Sequence, residues 1–381
     1  MPNLDTCDVL IVGAGPAGCA AGIELRRAGI DVLVVDAARF PRDKVCGDAV
    51  SNDGMREIDA LGAGDAVRRG PHALVRRAAA VFPDGTRIAR SYDEPGYIVP
   101  RFHLDDCLRQ VLEANGARLV QDCRVTELST EHGRVVGAVA GQHRWSAKLV
   151  IAADGYGSVG LPALGLAGPR GSKLAVSTTA YYRDVTFPEG ADTSDHFFEE
   201  ELPYGYSWIF PAVEGVSNVG VYIRSDAYSA GSQKLHGLMS GFVERHADRL
   251  GNATRIGKTR TWSLPLAPRP MPLSAAGLLI TGDAAGFVDP LSGEGIWQAL
   301  HSGRVAGQTA TAALGCGELS ASLRRSYQQS CERAILKPSR RKAWVQSAMD
   351  TVITRKLYRN PLVRTALRLG YEHKALEMTK S

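Results

Sequence analysis

The first apolar block, DVLIVG at 8–13, packs four consecutive apolar residues and ends on glycine. A short run of this kind, closed by a turn residue, predicts a strand buried on both faces. GAGPAG follows at 13–18, and AAGIELRRAG at 20–29 then spaces its apolar residues as a helix that Gly29 ends. IDVLVVD at 30–36 is a second buried strand. Strand, glycine turn, helix and strand make one βαβ unit, the start of a parallel sheet.

The pattern changes after residue 70. VFPDGT at 81–86 carries a hairpin turn, and FHLDDCLRQVLEA at 102–114 predicts a helix closed by Gly116. The following segment reads as strands joined at His132–Gly133, and KLVIAADG at 148–155 as a strand running into a glycine turn. Residues 174–223 are rich in β-formers (LAVSTTAYYRDV, DHFFEE, GYSWIFP, SNVGVYI), which predicts a separate antiparallel sheet, with a helix near 233–246 after it. GLLITGDAA at 277–285 returns to the buried-strand pattern, and a long helix covers 293–314.

Composition narrows the class. The 381 residues are 44% hydrophobic and 22% charged, ordinary for a globular chain. Seven dispersed cysteines with no CxxC argue against a disulfide framework and for a reducing, cytoplasmic compartment. The nine histidines show no HExxH or HxH, so no metal site is expected. No apolar stretch approaches the roughly 18 residues of a membrane span, and no signal peptide is expected. From Arg333 onward 12 Lys/Arg stand against 3 Asp/Glu, while the rest of the chain has 33 against 37. The basic excess is therefore a property of the tail, and nothing suggests nucleic-acid binding.

Gly13, Gly15 and Gly18, with Pro16 and Ala17 between them, form a GxGxxG turn that opens a helix. Such a turn brings backbone N–H groups and the positive helix end to a pyrophosphate. Asp36 ends the second strand about 20 residues on, where an acid binds a ribose. Ala153-Asp154-Gly155 resembles the DG element of flavoprotein hydroxylases, and Gly282-Asp283-Ala284-Ala285 their GD element, whose aspartate binds the ribityl chain of FAD. Pro290–Ile296, with Gly293, Gly295 and Ile296 at the helix start, offers free N–H groups to the electron-rich edge of a reduced flavin. A cap by Ser292 is the structural alternative.

A narrower resemblance, over about residues 5–330, is to the geranylgeranyl reductase family. Pro41-Arg42-Asp43-Lys44-Val45-Cys46-Gly47, with Ser51 beyond, resembles its PxxKxCGxxxS segment. Tyr204–Pro211 (YGYSWIFP) resembles its YxWxFP element, but Asn218-Val219-Gly220 departs from the GxG that should follow. The resemblance implies an α/β fold: a Rossmann-type FAD-binding domain built from discontinuous segments (1–70, 101–165, 266–332), an inserted α+β antiparallel-sheet substrate domain (71–100, 166–265) and a C-terminal basic helical tail (333–381). It implies FAD as cofactor, NAD(P)H as a transient reductant or an electron-donor protein, and hydride delivery to a double bond of a small apolar, prenyl-type substrate. Cofactor contacts would come from Lys44, Cys46, Arg101, Asp154 and Asp283, and catalytic groups from Cys46, Tyr206 and Trp208, with Cys46 ahead of Tyr206 as proton donor.

The residues alone leave alternatives. Tyr206, Trp208 and Phe210 alternate, so they share one face, suited to an apolar substrate or to plain core packing. Cys46 beside Lys44 can be an acidic thiol or a small core residue. Arg101 can be flavin-adjacent or a surface arginine. A flavin monooxygenase or halogenase is the rival enzyme class, although no GWxWxIP segment is present. A flavin-binding electron carrier would not need an aromatic domain of this size. Val345, Met349, Val352 and Ile353, among basic residues, form an amphipathic stripe that can touch an anionic membrane or pack on the body.

Overall fold

The structure is a computed structural model that describes residues 4–372. Five strands form the parallel core of the first sheet, in the spatial order 118–120, 32–35, 4–12, 143–152 and 278–280. The Leu4–Val12 strand is central, with Val9–Val12 paired to Val32–Val35 on one side and to Leu149–Ala152 on the other. Its Val9, Leu10 and Ile11 are fully buried, which is why an uninterrupted apolar run was needed there. The hairpin Glu127–Glu131 and Arg134–Ala140 extends the same sheet antiparallel to His143–Ala152.

Helix Pro16–Arg27 covers one face and starts earlier than its apolar spacing suggests, because Pro16 occupies the first turn without needing an N–H. The long helix Ile296–Gly315 lies against it. A Cβ at Gly303 would sit 2.2 Å from the Ala17 carbonyl oxygen, so the two helices touch backbone to backbone.

The second sheet has the order 254–265, 174–183, 216–224, 206–211, 193–197, 73–81, 87–98 and 49–50. It is antiparallel except where Thr193–Phe197 runs parallel to Arg77–Val81. Helix Leu235–Arg245 packs Leu238, Met239 and Phe242 on one face with Ile209, Val219 and Val221. The opposite face carries Tyr206, Trp208, Phe210 and Tyr222 toward Leu266 and Val288, at the seam with the first sheet. Ala49–Val50 pairs with Tyr97–Ile98, so the segment just past Cys46 crosses from one sheet to the other.

Helices Ala321–Cys331 and Lys337–Thr354 are joined through a π-helical turn at Glu332–Leu336. The tail stripe does not face outward. Val345 and Ile353 are buried, and Met349 and Val352 pack with Ile353 and Tyr358 against Phe82 and Phe198. Among the described tail residues, the large apolar side chains that do face out are Trp344 (71% exposed), Leu357 (38%), Leu362 (81%) and Leu369 (52%). Part of the tail's basic charge is also turned inward, since Lys342 pairs with the buried Asp289. Residues 373–381 of the expected tail lie outside the described residues.

Candidate functional site

The glycines of the first turn divide by what a side chain would meet. At Gly18 a Cβ would sit 1.8 Å from the Gly13 carbonyl oxygen, and at Gly13 it would sit 2.5 Å from that of Ala153. Both positions are closed by the protein's own backbone. Gly15 is different: its φ of −74° is open to any residue, and its nearest neighbour would be Arg42 at 3.8 Å. Neither backbone strain nor packing explains a glycine there, whereas close approach of a phosphate to the helix N-terminus does. Asp154 gives a second sign of fit. Its Oδ2 accepts from the Val159 N–H at 2.8 Å, while Oδ1 is buried with no protein partner. Burial raises its pKa. The residues present therefore suit a bound dinucleotide.

Asp36 closes the strand Val32–Val35, and its carboxylate accepts from the N–H groups of Ala14 (2.7 Å) and Ala38 (2.8 Å). It braces the glycine turn at the edge where a ribose would lie. The Gly282–Ala285 turn is held from beneath: Ser302 accepts from Thr281 Oγ1 (2.8 Å) and from the Gly282 N–H (3.1 Å). Gly282 has φ +64° and abuts Ala17, which ties the GD turn to the first helix. Asp283 reaches Lys44 Nζ at 3.4 Å. Two motifs 239 residues apart thus meet through one ion pair.

The loop before the long helix is rigidly built. Asp289 accepts from the N–H groups of Leu291 (2.9 Å) and Ser292 (3.0 Å), and Gly293 turns at φ +69°. The helix cap is Gly295, with Ile296 first in the helix and no side chain capping it. Ser292 is not that cap; its hydroxyl accepts from the Glu294 N–H instead. Burial raises the Glu294 pKa, against a lowering effect of Ser51 in the Cys46 segment. Tyr222 donates to the Pro290 carbonyl at 2.9 Å, and Tyr206 donates to the Ser292 carbonyl.

Arg101 is buried and not a surface residue. It forms a two-pronged pair with Asp105 (2.7 Å and 2.7 Å), which also takes Arg42 at 2.8 Å. Against the opposing effect of burial, these arginines hold the Asp105 carboxyl below the usual range. The positive charge of Arg101 also acts on the Cys46 thiol. Of the two alternatives for Cys46, burial decides the balance: it outweighs the lowering effect of Arg101 and Lys44 and pushes the thiol up, so it rests protonated. The positive charge of Arg101 and the Asp48 N–H act the other way and favour a thiolate once the proton leaves. A donor that holds its proton at rest and is stabilised after losing it suits general acid chemistry.

Trp208 lies against the same loop, since a Cβ at Gly47 would sit 3.5 Å from the Phe210 ring and 3.6 Å from the Trp208 ring. Trp208 Nε1 donates to Asn218 Oδ1 at 2.9 Å. Asn218 Nδ2 donates to the Cys46 carbonyl (2.8 Å) and to Asp48 Oδ2 (3.0 Å). The departure from GxG is therefore a built feature, with the asparagine bridging the aromatic strand and the cysteine loop. Sequence reasoning gave no role to Asp48, Tyr181 or Asp105, and quoted Asp289 only as the start of the family-like segment that runs to Ile296. Asp48 stands two residues past Cys46 and Asp105 four past Arg101, whereas Tyr181 had no local signal.

Residues 6–338 match a family model described as FAD binding domain. The chain is 32% identical to a menaquinone reductase of Mycobacterium tuberculosis, covering 80% of this chain and 76% of that one. It is 31% identical to digeranylgeranylglycerophospholipid reductase 1 of Methanopyrus kandleri, over 85% and 86% of the two. The chain belongs to the geranylgeranyl reductase family of FAD-dependent oxidoreductases. A geranylgeranyl bacteriochlorophyll reductase-like protein of Thermoplasma acidophilum superposes with TM-score 0.83 at 24% identity, over 93% of this chain and 90% of that one. A flavin-dependent brominase does so at 0.73 and 20%, over 95% and 92%, which shows that the reductases share this fold with halogenases. Among the described residues no helix is long and apolar enough to cross a membrane.

Proposed function

We propose that this member of the family reduces carbon–carbon double bonds of a prenyl or similarly apolar substrate. FAD, when bound, supplies the hydride, and NAD(P)H or an electron-donor protein returns the electrons. Gly13–Gly18 and the helix they open hold the pyrophosphate, with Asp36 at the adenosine ribose and Asp283 at the ribityl chain. Lys44, Arg101 and Asp154 line the cofactor side, and Gly293, Gly295 and Ile296 present N–H groups to the pyrimidine edge. Cys46 gives the proton that completes the reduction. The observation that carries this reading is the placement of Cys46: a thiol kept protonated by burial, in a loop packed against the Trp208 and Phe210 rings. Tyr206 and Trp208 have their protons committed to Ser292 and Asn218, so they shape the apolar wall and rank behind Cys46 as acids.

Reduced enzyme mixed anaerobically with a prenyl substrate should reoxidise in the flavin absorbance and yield a saturated bond. Reoxidation only by oxygen, through a long-lived oxygen adduct, would select the monooxygenase or halogenase alternative. The purified protein should be yellow, and heat should release FAD; release of NAD or FMN alone would end the assignment. Asp283→Ala removes a charged hydrogen-bonding group of roughly 1.5–3 kcal/mol and should lower FAD occupancy by about ten-fold or more at limiting cofactor.

The exposed Trp344, Leu362 and Leu369, near the exposed Arg341, Arg355 and Arg359, suit an anionic membrane surface from which an apolar substrate is drawn. Co-sedimentation with anionic vesicles should fall as salt rises and should drop when Leu362 and Leu369 are changed to serine. Equal binding to neutral vesicles would count against the electrostatic part.

A further inference from the structure

Asp289 organises the loop that leads into the long helix. Its N–H donates to the Glu294 carbonyl at 2.8 Å, and its own carbonyl accepts the Gly293 N–H at 2.9 Å. Its Oδ1 accepts from the Leu291 and Ser292 N–H groups, which leaves Oδ2 for a counter-ion. The residue is only 1% exposed, and a carboxylate so enclosed needs a cation beside it. Lys342 Nζ supplies that cation at 2.5 Å. Lys342, Gln346 and Asp350 follow at intervals of four, so they share one stripe of helix Lys337–Thr354. Gln346 Nε2 donates to the Pro290 carbonyl at 2.6 Å and to the Tyr204 carbonyl at 3.1 Å, and Asp350 accepts the Tyr204 N–H at 2.8 Å. Tyr206 and Tyr222 reach the same loop from the sheet, at Ser292 and Pro290. The loop is thus clamped between the aromatic strands and a helix that lies almost wholly beyond residue 338, where the match to the FAD binding domain ends.

We propose that Lys342 is a positioning residue for the cofactor: it neutralises Asp289, so that the loop meets the pyrimidine edge of a reduced flavin with N–H groups and with no net negative charge behind them. This rests on the reading of Gly293, Gly295 and Ile296 as the donors to that edge.

The sign of the charge decides. N–H groups at a helix start favour an electron-rich edge. An unpaired carboxylate in the same loop opposes it, with little water there to screen it. Asp289 uses Oδ1 to fix the turn, so the charge that comes with that oxygen has to be cancelled from another element. Lys342 cancels it from the tail helix, while Gln346 and Asp350 keep that helix in register with the loop. Against burial, Asp289 and Glu294 raise the Lys342 pKa, so the ammonium stays charged. A residue beyond the FAD binding domain match thereby belongs to the cofactor site.

The test uses the full FAD-loaded chain, reduced stepwise against reference dyes. Lys342→Met should weaken binding of reduced FAD relative to oxidised FAD by about ten-fold, which lowers the two-electron potential by about 30 mV. Lys342→Arg should hold the ratio near wild type. Asp289→Asn keeps an acceptor for both N–H groups and leaves Lys342 unopposed, so it should shift the ratio the opposite way. With both charges removed, Lys342→Met/Asp289→Asn should return to within about three-fold of wild type. A pair that only anchors the tail would lower the melting temperature and leave the ratio unchanged, or shift it the same way in both single variants; either result overturns the proposal. Should Lys342→Met not fold, the direction of Asp289→Asn and the recovery in the double variant still decide. Gly293→Ala forces alanine to φ +69° and so disturbs the loop directly. If it moves the ratio while Lys342→Met does not, the role of Lys342 fails and the loop reading stands. If neither moves it, the loop reading itself fails.

Discussion

Gly18→Ala is expected to leave little folded protein, whereas Gly15→Ala is expected to fold normally and lose FAD. The two glycines are three residues apart in the same turn, but their surroundings differ. A methyl group at Gly18 would lie 1.8 Å from the Gly13 carbonyl oxygen, an overlap with backbone that no rotamer relieves. The first strand and first helix would have to separate, and they carry fully buried residues such as Leu10, Ile11, Ile23 and Leu25. At Gly15 the new methyl would meet only Arg42 at 3.8 Å, with an extended backbone that alanine adopts freely. The space it would fill is the approach to the helix N-terminus. Losing one or more charged hydrogen bonds there corresponds to about 1.5–3 kcal/mol, or a ten- to hundred-fold weaker FAD affinity. Thermal melting of the FAD-free proteins and fluorescence titration with FAD separate the two effects. A Gly15→Ala protein that binds FAD as well as wild type would show that the turn does not cradle the pyrophosphate.

Cys46→Ser should cut the half-reaction with prenyl substrate by about 10²-fold or more, the usual scale for loss of a general acid. Serine is close in size but far less acidic than a thiol, and Arg101 stabilises the alkoxide too little to compensate. FAD content and the reductive half-reaction should stay near wild type. Lys44→Met should also perturb FAD retention, because Lys44 pairs with Asp283. Stopped-flow traces of the two half-reactions, followed in the flavin absorbance, check the separation. A wild-type rate with substrate in Cys46→Ser would remove the thiol from the chemistry and leave the flavoprotein assignment intact.

The opening βαβ unit was legible from the sequence because it is local. Val9–Val12 and Val32–Val35 are buried on both faces, and strands so enclosed must be continuously apolar. The glycine turn was legible for the same reason, since the clash at Gly18 involves a residue only five positions away. Resemblance then joined the DG, GD and cysteine segments to one cofactor. What it could not give is how those segments touch. The Lys44–Asp283 pair, the bond from Tyr222 to the Pro290 carbonyl and the bond from Asn218 to the Cys46 carbonyl join residues far apart in the chain, so no periodicity records them. Charge and burial also depend on such contacts. Next to Lys44 in sequence, Cys46 looked acidic, but its desolvated place beside Asp48 raises its pKa. Whether Arg101 was flavin-adjacent or a surface arginine stayed open in the sequence, and its burial with Asp105 removes the surface alternative. The tail's apolar stripe was correctly read as a helix, yet its direction was open, because a stripe reports that one face is buried and not what buries it. Phe82 and Phe198 decided that, turning Met349 and Ile353 inward and leaving Trp344, Leu362 and Leu369 outside. The sequence by itself determined the dinucleotide turn, the alternation of strands and helices and the family. Tertiary packing decided protonation, ion pairing and which surface is free, since these depend on desolvation and on charges brought together from distant segments.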